Sequence, residues 1–167
     1  MILLECRRVT KRFGALEALR RFSLTLEKGE ILGVIGPNGS GKTTLFNVLV
    51  GVHRPEEGEV VFRGERISGL APHQVCRRGM AKASQMIRPF REMTVLENLL
   101  VPGMYAGRLG PAQARAQAEK TLGLLGLEDL GDAPSWGISL SERRQLELGR
   151  VLMTGAEVLL LDEIMAG

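Results

Sequence analysis

The stretch Gly-Pro-Asn-Gly-Ser-Gly-Lys-Thr-Thr, residues 36–44, constrains this chain more than any other. It follows a short apolar run, Ile31-Leu32-Gly33-Val34-Ile35, which reads as a buried strand. It precedes Leu45 to Val50, which reads as the body of a helix. Gly36, Gly41, Lys42 and Thr43 fit the spacing G-x-x-x-x-G-K-[ST] between those two elements. Glycines let the backbone wrap closely around phosphate oxygens, so that consecutive N–H groups form an anion nest. The helix then starts with its positive dipole end toward the phosphates. Gly36, Asn38, Gly39, Ser40, Gly41, Lys42, Thr43 and Thr44 are therefore candidate nucleotide-binding residues. Lys42 would place a point charge on the β- and γ-phosphates, and the Thr43 hydroxyl can ligate Mg²⁺. The plain alternative is a glycine-rich turn before an ordinary helix. The flanking elements favour the phosphate loop.

The chain has 167 residues, enough for one core or one core plus a small subdomain. Its net charge of +3 is small and its basic residues are scattered, so charge does not point to nucleic acid. The two cysteines, Cys6 and Cys76, lack metal-like spacing and read as small hydrophobes in a reducing compartment. The opening MILLECRR has its charges after its apolar run, the wrong order for a signal peptide. No apolar run approaches the ~20 residues needed to span a bilayer. The expectation is a soluble chain that works at a membrane only by docking to another subunit.

Residues 2–9 and 22–27 read as strands. Phe13 lies between them in a polar, turn-like setting, where it can stack on a nucleotide base or anchor the neighbouring strand. A turn at residues 55–58 precedes a strand over 59–63, and 71–78 reads as a short helix. His53 and His73 lack partners at catalytic or metal spacing and read as surface or turn residues. Residues 80–86, containing Gln85, form another strand candidate.

Composition then changes. Thr94 to Glu97 fits a capping box opening a helix to about Val101, which Pro102-Gly103 is expected to break. Residues 112–125 are strongly helical, with Pro111 in the first turn. Ser139 to Glu142 fits a second capping box, opening a helix to about Met153. Trp136 reads as a packing anchor. Residues 87–149 thus look like a helical insertion without a strand. Val158 to Leu161 reads as a buried strand ending in Asp162 and Glu163. Ligands of open α/β sheets lie beyond the carboxyl ends of strands. One acid can hold Mg²⁺ and the next can orient an attacking water, where the plain alternative is two solvated acids.

Several stretches, in order, resemble the nucleotide-binding subunit of an ATP-binding cassette (ABC) transporter. They are VTKRFGALEAL, GPNGSGKTTLFNVLVG, ASQMIRPFREMTVLENLLV and ISLSERRQLELGRVLMTGAEVLLLDE. The resemblance implies an α/β fold of the P-loop NTPase (RecA-like) class. Its mostly parallel core sheet would carry an antiparallel β subdomain and a helical subdomain. The ATP-binding core would be 1–86 and 150–167, and the helical subdomain with the signature motif 87–149. It makes Phe13 the adenine-stacking aromatic, Gln85 a switch residue near Mg²⁺ and water, Asp162 a Mg²⁺ residue and Glu163 the catalytic base. Ser139 would donate to the γ-phosphate held by a partner subunit. Catalysis would fall to Glu163, Gln85 and Lys42; Thr43, Gln85 and Asp162 would serve Mg²⁺. The implied cofactors are ATP and Mg²⁺. The implied partners are integral-membrane permease subunits, a second ATP-binding subunit and, indirectly, a periplasmic solute-binding protein. The implied location is cytoplasmic and peripheral, on the inner face of the cell membrane. RFGALEAL, LAPHQVCRRGMAKASQ and the ending DEIMAG resemble the ATPases of branched-chain amino-acid, amide and urea importers.

Three departures stand out. The signature motif, close to LSGGQ in the family, is Ile138-Ser139-Leu140-Ser141-Glu142, so Ser141 puts a Cβ where a glycine is usual. Ile164 replaces a customary proline after Glu163. The family's next loop and its switch histidine do not follow Gly167, so the C-terminal part of the core is expected to be missing. Its sheet would then lack a central strand, leaving backbone groups unpaired at ~1–3 kcal/mol each. Three readings stand side by side: an importer ATPase, a nucleotide-binding module with little or no turnover, and a non-transport ABC ATPase.

Overall fold

The computed structural model describes residues 1–83 and 88–162. They divide between two compact units, Met1–Val75 and Cys76–Gly167.

In the first unit, β1 (Ile2–Phe13) and β2 (Leu16–Glu27) form an antiparallel hairpin. Both are longer than the predicted 2–9 and 22–27. Gly14 takes a φ of 59°, so Gly14-Ala15 turns the chain in two residues and Lys11 to Phe13 stay in the ladder. β3 (Glu57–Phe62) pairs with the other edge of β1, and β4 (Glu65–Arg66) pairs with β3. The order is β2-β1-β3-β4. Leu4, Cys6, Val9, Val60 and Phe62 are buried.

The β1–β2 ladder bulges at Arg8 and Arg21, whose φ angles are 47° and 43°. The Ser23 hydroxyl accepts the Arg8 N–H at 2.9 Å, and the Thr10 hydroxyl accepts the Arg21 N–H at 3.2 Å. Each bulged donor lost from the ladder is thus recovered by a side chain of the facing strand. Helices α1 (Lys42–Leu49) and α2 (Pro72–Arg78) follow the predicted spans closely.

The predicted strand over 31–35 is not formed. Ile31 and Ile35 are 99% and 98% exposed, and no strand among the described residues pairs with this run. An apolar run becomes a buried strand only where neighbours supply its ladder hydrogen bonds, and the run itself cannot specify those neighbours.

In the second unit, β5 (Met80–Ala83) and β6 (Val158–Leu161) form a parallel pair, Met80 opposite Val158 and Ala83 opposite Leu161. Along β6, Val158 and Leu160 are buried, Leu159 is partly buried against the Ala81, Ala83 and Val151 cluster, and Leu161 is exposed. Helices α3 (Val95–Tyr105), α4 (Pro111–Leu125) and α5 (Leu140–Leu152) pack around Val95, Leu99, Ala118, Leu122, Leu127 and Leu146. Gly149 makes their close approach possible: a Cβ there would stand 2.8 Å from Leu125 Cδ1 and 2.9 Å from Leu99 Cδ2.

Two expectations are corrected here. Helix α3 runs through Pro102 and Gly103 instead of ending before them. Proline costs the helix one donor but holds φ near the helical value. The last turn is secured by Ala106 and Gly107 N–H donating to the Pro102 carbonyl and by buried Gly103 against Met153. Trp136 is not a packing anchor; it is 62% exposed, and nearby Ile138 is the buried side chain. Arg143 donates to the backbone carbonyls of both residues, at 2.7 and 3.0 Å.

Candidate nucleotide-binding site

The loop Gly36–Thr44 leads directly into α1, and Gly41 is the helix N-cap with φ 94°. A Cβ on Gly41 would lie 2.4 Å from the Ala18 carbonyl oxygen, so only glycine fits. Gly39 is also left-handed, and a Cβ on Gly36 would meet Ser40 Oγ at 2.6 Å. Gly36, Asn38, Gly39, Ser40 and Thr43 are exposed, while Gly41, Lys42 and Thr44 are partly covered. Gly41 offers no side chain to cap the first turn, so the positive end of α1 faces an open loop. Leu45, Val48 and Leu49 bury the helix's other face. Lys42 Nζ donates to the carbonyls of Gly36 and Pro37 at 2.7 and 2.9 Å. The ammonium therefore already stands over the loop.

Phe13 ends β1 and is 44% exposed, not a core residue. His53 meets its ring edge-on at a centroid distance of 5.2 Å, and Lys11 Nζ lies 5.3 Å from the ring centroid. His53 is thus a ring partner of Phe13. Lys11 is held by the Glu56 carboxylate, whose pKa is lowered by that contact and then by the Arg12 N–H.

In the second unit, Ser139 caps α5. Its hydroxyl accepts the Glu142 N–H at 3.3 Å, and Glu142 Oε2 accepts the Ser139 N–H at 2.6 Å. The Ser139 hydroxyl beside the Glu142 carboxylate, and then the Ser139 N–H, lower the Glu142 pKa. Asp162 is buried just past β6, with Lys82 Nζ 3.1 Å from its Oδ2. Gln85 and Glu163 lie outside the described residues. Cys6, buried, has its thiol pushed up to about 11 by burial, against a weaker opposing effect of the Val9 backbone. Among the described residues no His, Cys, Asp and Glu group could hold a metal by itself, and no helix is long and apolar enough to cross a membrane.

Sequence reasoning missed four residues that organise the second unit. Lys82 was visible as a lone charge within an apolar strand. Glu147 and Arg150 pair at 2.8 Å, and Arg150 also covers the Phe90 ring at 4.9 Å and donates to the Arg88 carbonyl. Asn98, fully buried, accepts from Phe90 N–H at 2.8 Å and donates to the Phe90 and Thr94 carbonyls at 3.1 and 2.9 Å. Helical periodicity carries no signal for such a residue.

A glycine cradle, an uncapped helix start and a lysine over the loop define a nucleotide-binding protein of the P-loop class. Residues 19–166 match the ABC transporter family. The chain is 40% identical to the high-affinity branched-chain amino acid transport ATP-binding protein LivG of Salmonella typhimurium, over 93% of this chain and 67% of that protein. It is 35% identical to BraF, of the same description, from Pseudomonas aeruginosa, over 100% of this chain and 70% of that one. A solved ATP-binding cassette of an ABC transporter superposes with a TM-score of 0.88 at 34% identity, covering 100% of this chain and 71% of that structure. The same protein has been solved in an ADP conformation, with a TM-score of 0.85. The chain belongs to the ABC transporter family and is an ABC-type ATPase.

Proposed function

We propose that this chain is the ATP-binding, ATP-hydrolysing subunit of an importer for branched-chain amino acids or related small polar solutes. The phosphate loop carries the reading: a helix start that only glycine can form, with the Lys42 ammonium already over the loop. The names of the relatives supply the solute class. The core would comprise 1–86 and 150–167, with 87–149 as the helical subdomain.

Gly36, Asn38, Gly39, Ser40, Gly41, Lys42, Thr43 and Thr44 would hold the phosphates and Phe13 the base. Each proposed Mg²⁺ residue offers an oxygen that suits the ion: Thr43 has an exposed hydroxyl, and Asp162 a buried Oδ2 that accepts no hydrogen bond. When bound, the ion would neutralise phosphate charge. Gln85 would orient ligand and water, and Glu163 would take the proton of the attacking water. Ser139, which caps α5 locally, would turn its hydroxyl hydrogen from the Glu142 carboxylate to a partner's γ-phosphate. The partners would be a second ATP-binding subunit, membrane permeases and, through them, a solute-binding protein, placing the chain on the inner face of the cell membrane.

The test is sedimentation with MgATP: Glu163→Gln should convert to a stable dimer while the unaltered chain stays mostly monomeric. Absence of ATP-driven association in both would sink the reading. Nucleotide binding without phosphate release, unchanged by Glu163→Gln, would instead support a binding module, which Ser141 in the signature motif favours.

A further inference from the structure

Lys82 is a lone charge on a strand of small and apolar residues. The parallel register sets it opposite Leu160, and Asp162 follows two residues later, so Lys82 and Asp162 serve one face of the pair. A rise of ~3.3 Å per residue leaves that offset within the span of a lysine stem. The ammonium lies 3.1 Å from Asp162 Oδ2, with the two side chains only 15% and 6% exposed. A pair this sheltered is screened far less than a surface pair, and removing one partner strands the other charge.

The contact is also incomplete. Asp162 Oδ2 accepts no hydrogen bond of regular geometry, although the ammonium is beside it. The carboxylate is thus neutralised in charge but not saturated as a ligand. Lysine suits such a place. It is a point charge on a flexible stem that can withdraw, whereas an arginine fork would occupy both oxygens.

We propose that Lys82 is the positioning residue of Asp162: it holds the buried carboxylate in the metal-free protein and yields it to an arriving divalent cation. The holding half rests on the contact itself; the yielding half rests on the proposed role of Asp162 toward Mg²⁺. Two cations cannot share one carboxylate oxygen without repulsion, so the Lys82 contact and the metal contact oppose each other. Linkage then requires that weakening the first strengthens the second.

The experiment compares the unaltered chain, Lys82→Met, Asp162→Asn and the double variant. Thermal unfolding in EDTA should place Lys82→Met ~4 °C or more below the unaltered chain. The double variant should recover part of that loss, because no stranded carboxylate remains. Additive shifts would overturn the holding role. Mg²⁺ is then titrated against ADP-bound protein, read by unfolding temperature. The Mg²⁺ concentration at half effect should fall about fivefold or more in Lys82→Met. An unchanged midpoint with coupled stabilities would overturn the yielding role alone. If Asp162→Asn leaves the Mg²⁺ response intact, the metal role of Asp162 fails, and the stability cycle still decides the holding role. Should Lys82→Met not fold, Lys82→Arg keeps the charge and should raise the Mg²⁺ midpoint; an unchanged or lower midpoint would overturn the proposal.

Discussion

Lys42 Nζ donates a 2.7 Å hydrogen bond to the Gly36 carbonyl oxygen, closing the phosphate loop on itself. The same ammonium reaches the Pro37 carbonyl at 2.9 Å. These neutral acceptors are weaker partners for an ammonium than phosphate oxygens, so a nucleotide can take the lysine over at little cost. Lys42→Met should therefore weaken ATP binding at least tenfold, about 1.4 kcal/mol, in a calorimetric titration. Its folding stability should change by no more than about 1 kcal/mol, because the lost hydrogen bonds are at the surface.

Gly41 is a stricter position. Alanine there must hold the left-handed backbone and place a Cβ 2.4 Å from the Ala18 carbonyl oxygen. Gly41→Ala should cost about 2 kcal/mol or more by denaturant unfolding and abolish tight nucleotide binding as the loop shifts.

Asn98 ties the chain before α3 to the helix. Its fully buried amide serves the N–H and carbonyl of Phe90 and the carbonyl of Thr94. Asn98→Ala would leave these backbone groups without that partner, at about 2–4 kcal/mol in urea unfolding. Hydrogen exchange should show the loss first at the Phe90 amide.

Ser139 and Glu142 couple α5 to pH. Because the folded state lowers the Glu142 pKa, the cap contributes fully above the unfolded carboxylate's value of 4.5. That contribution is lost as pH falls through the lower folded value. Ser139→Ala should cost ~1 kcal/mol at neutral pH. The difference between the variant and the unaltered chain should shrink in acid, which unfolding curves across the acid range will show.

Much of this protein was legible in residue order. Glycine spacing and Lys42 announced the phosphate loop. Ser/Thr-x-x-Glu signals placed the starts of α3 and α5, and Pro111 that of α4. These features act within one turn, so neighbours in sequence carry the whole signal. The resemblance to ABC ATPases was legible for the same reason, since its motifs are contiguous.

What sequence by itself determined was thus local: the loop that only glycine can form, the helix caps and the family. Tertiary structure alone decided who pairs with whom. It left Ile31 and Ile35 outside any described strand, exposed Trp136, carried α3 through Pro102 and set Lys82 beside Asp162 across a parallel register. Strand ladders and buried ion pairs join residues far apart in the chain. Their free energy depends on the neighbours and the water they exclude, and neither is written in a local run of side chains.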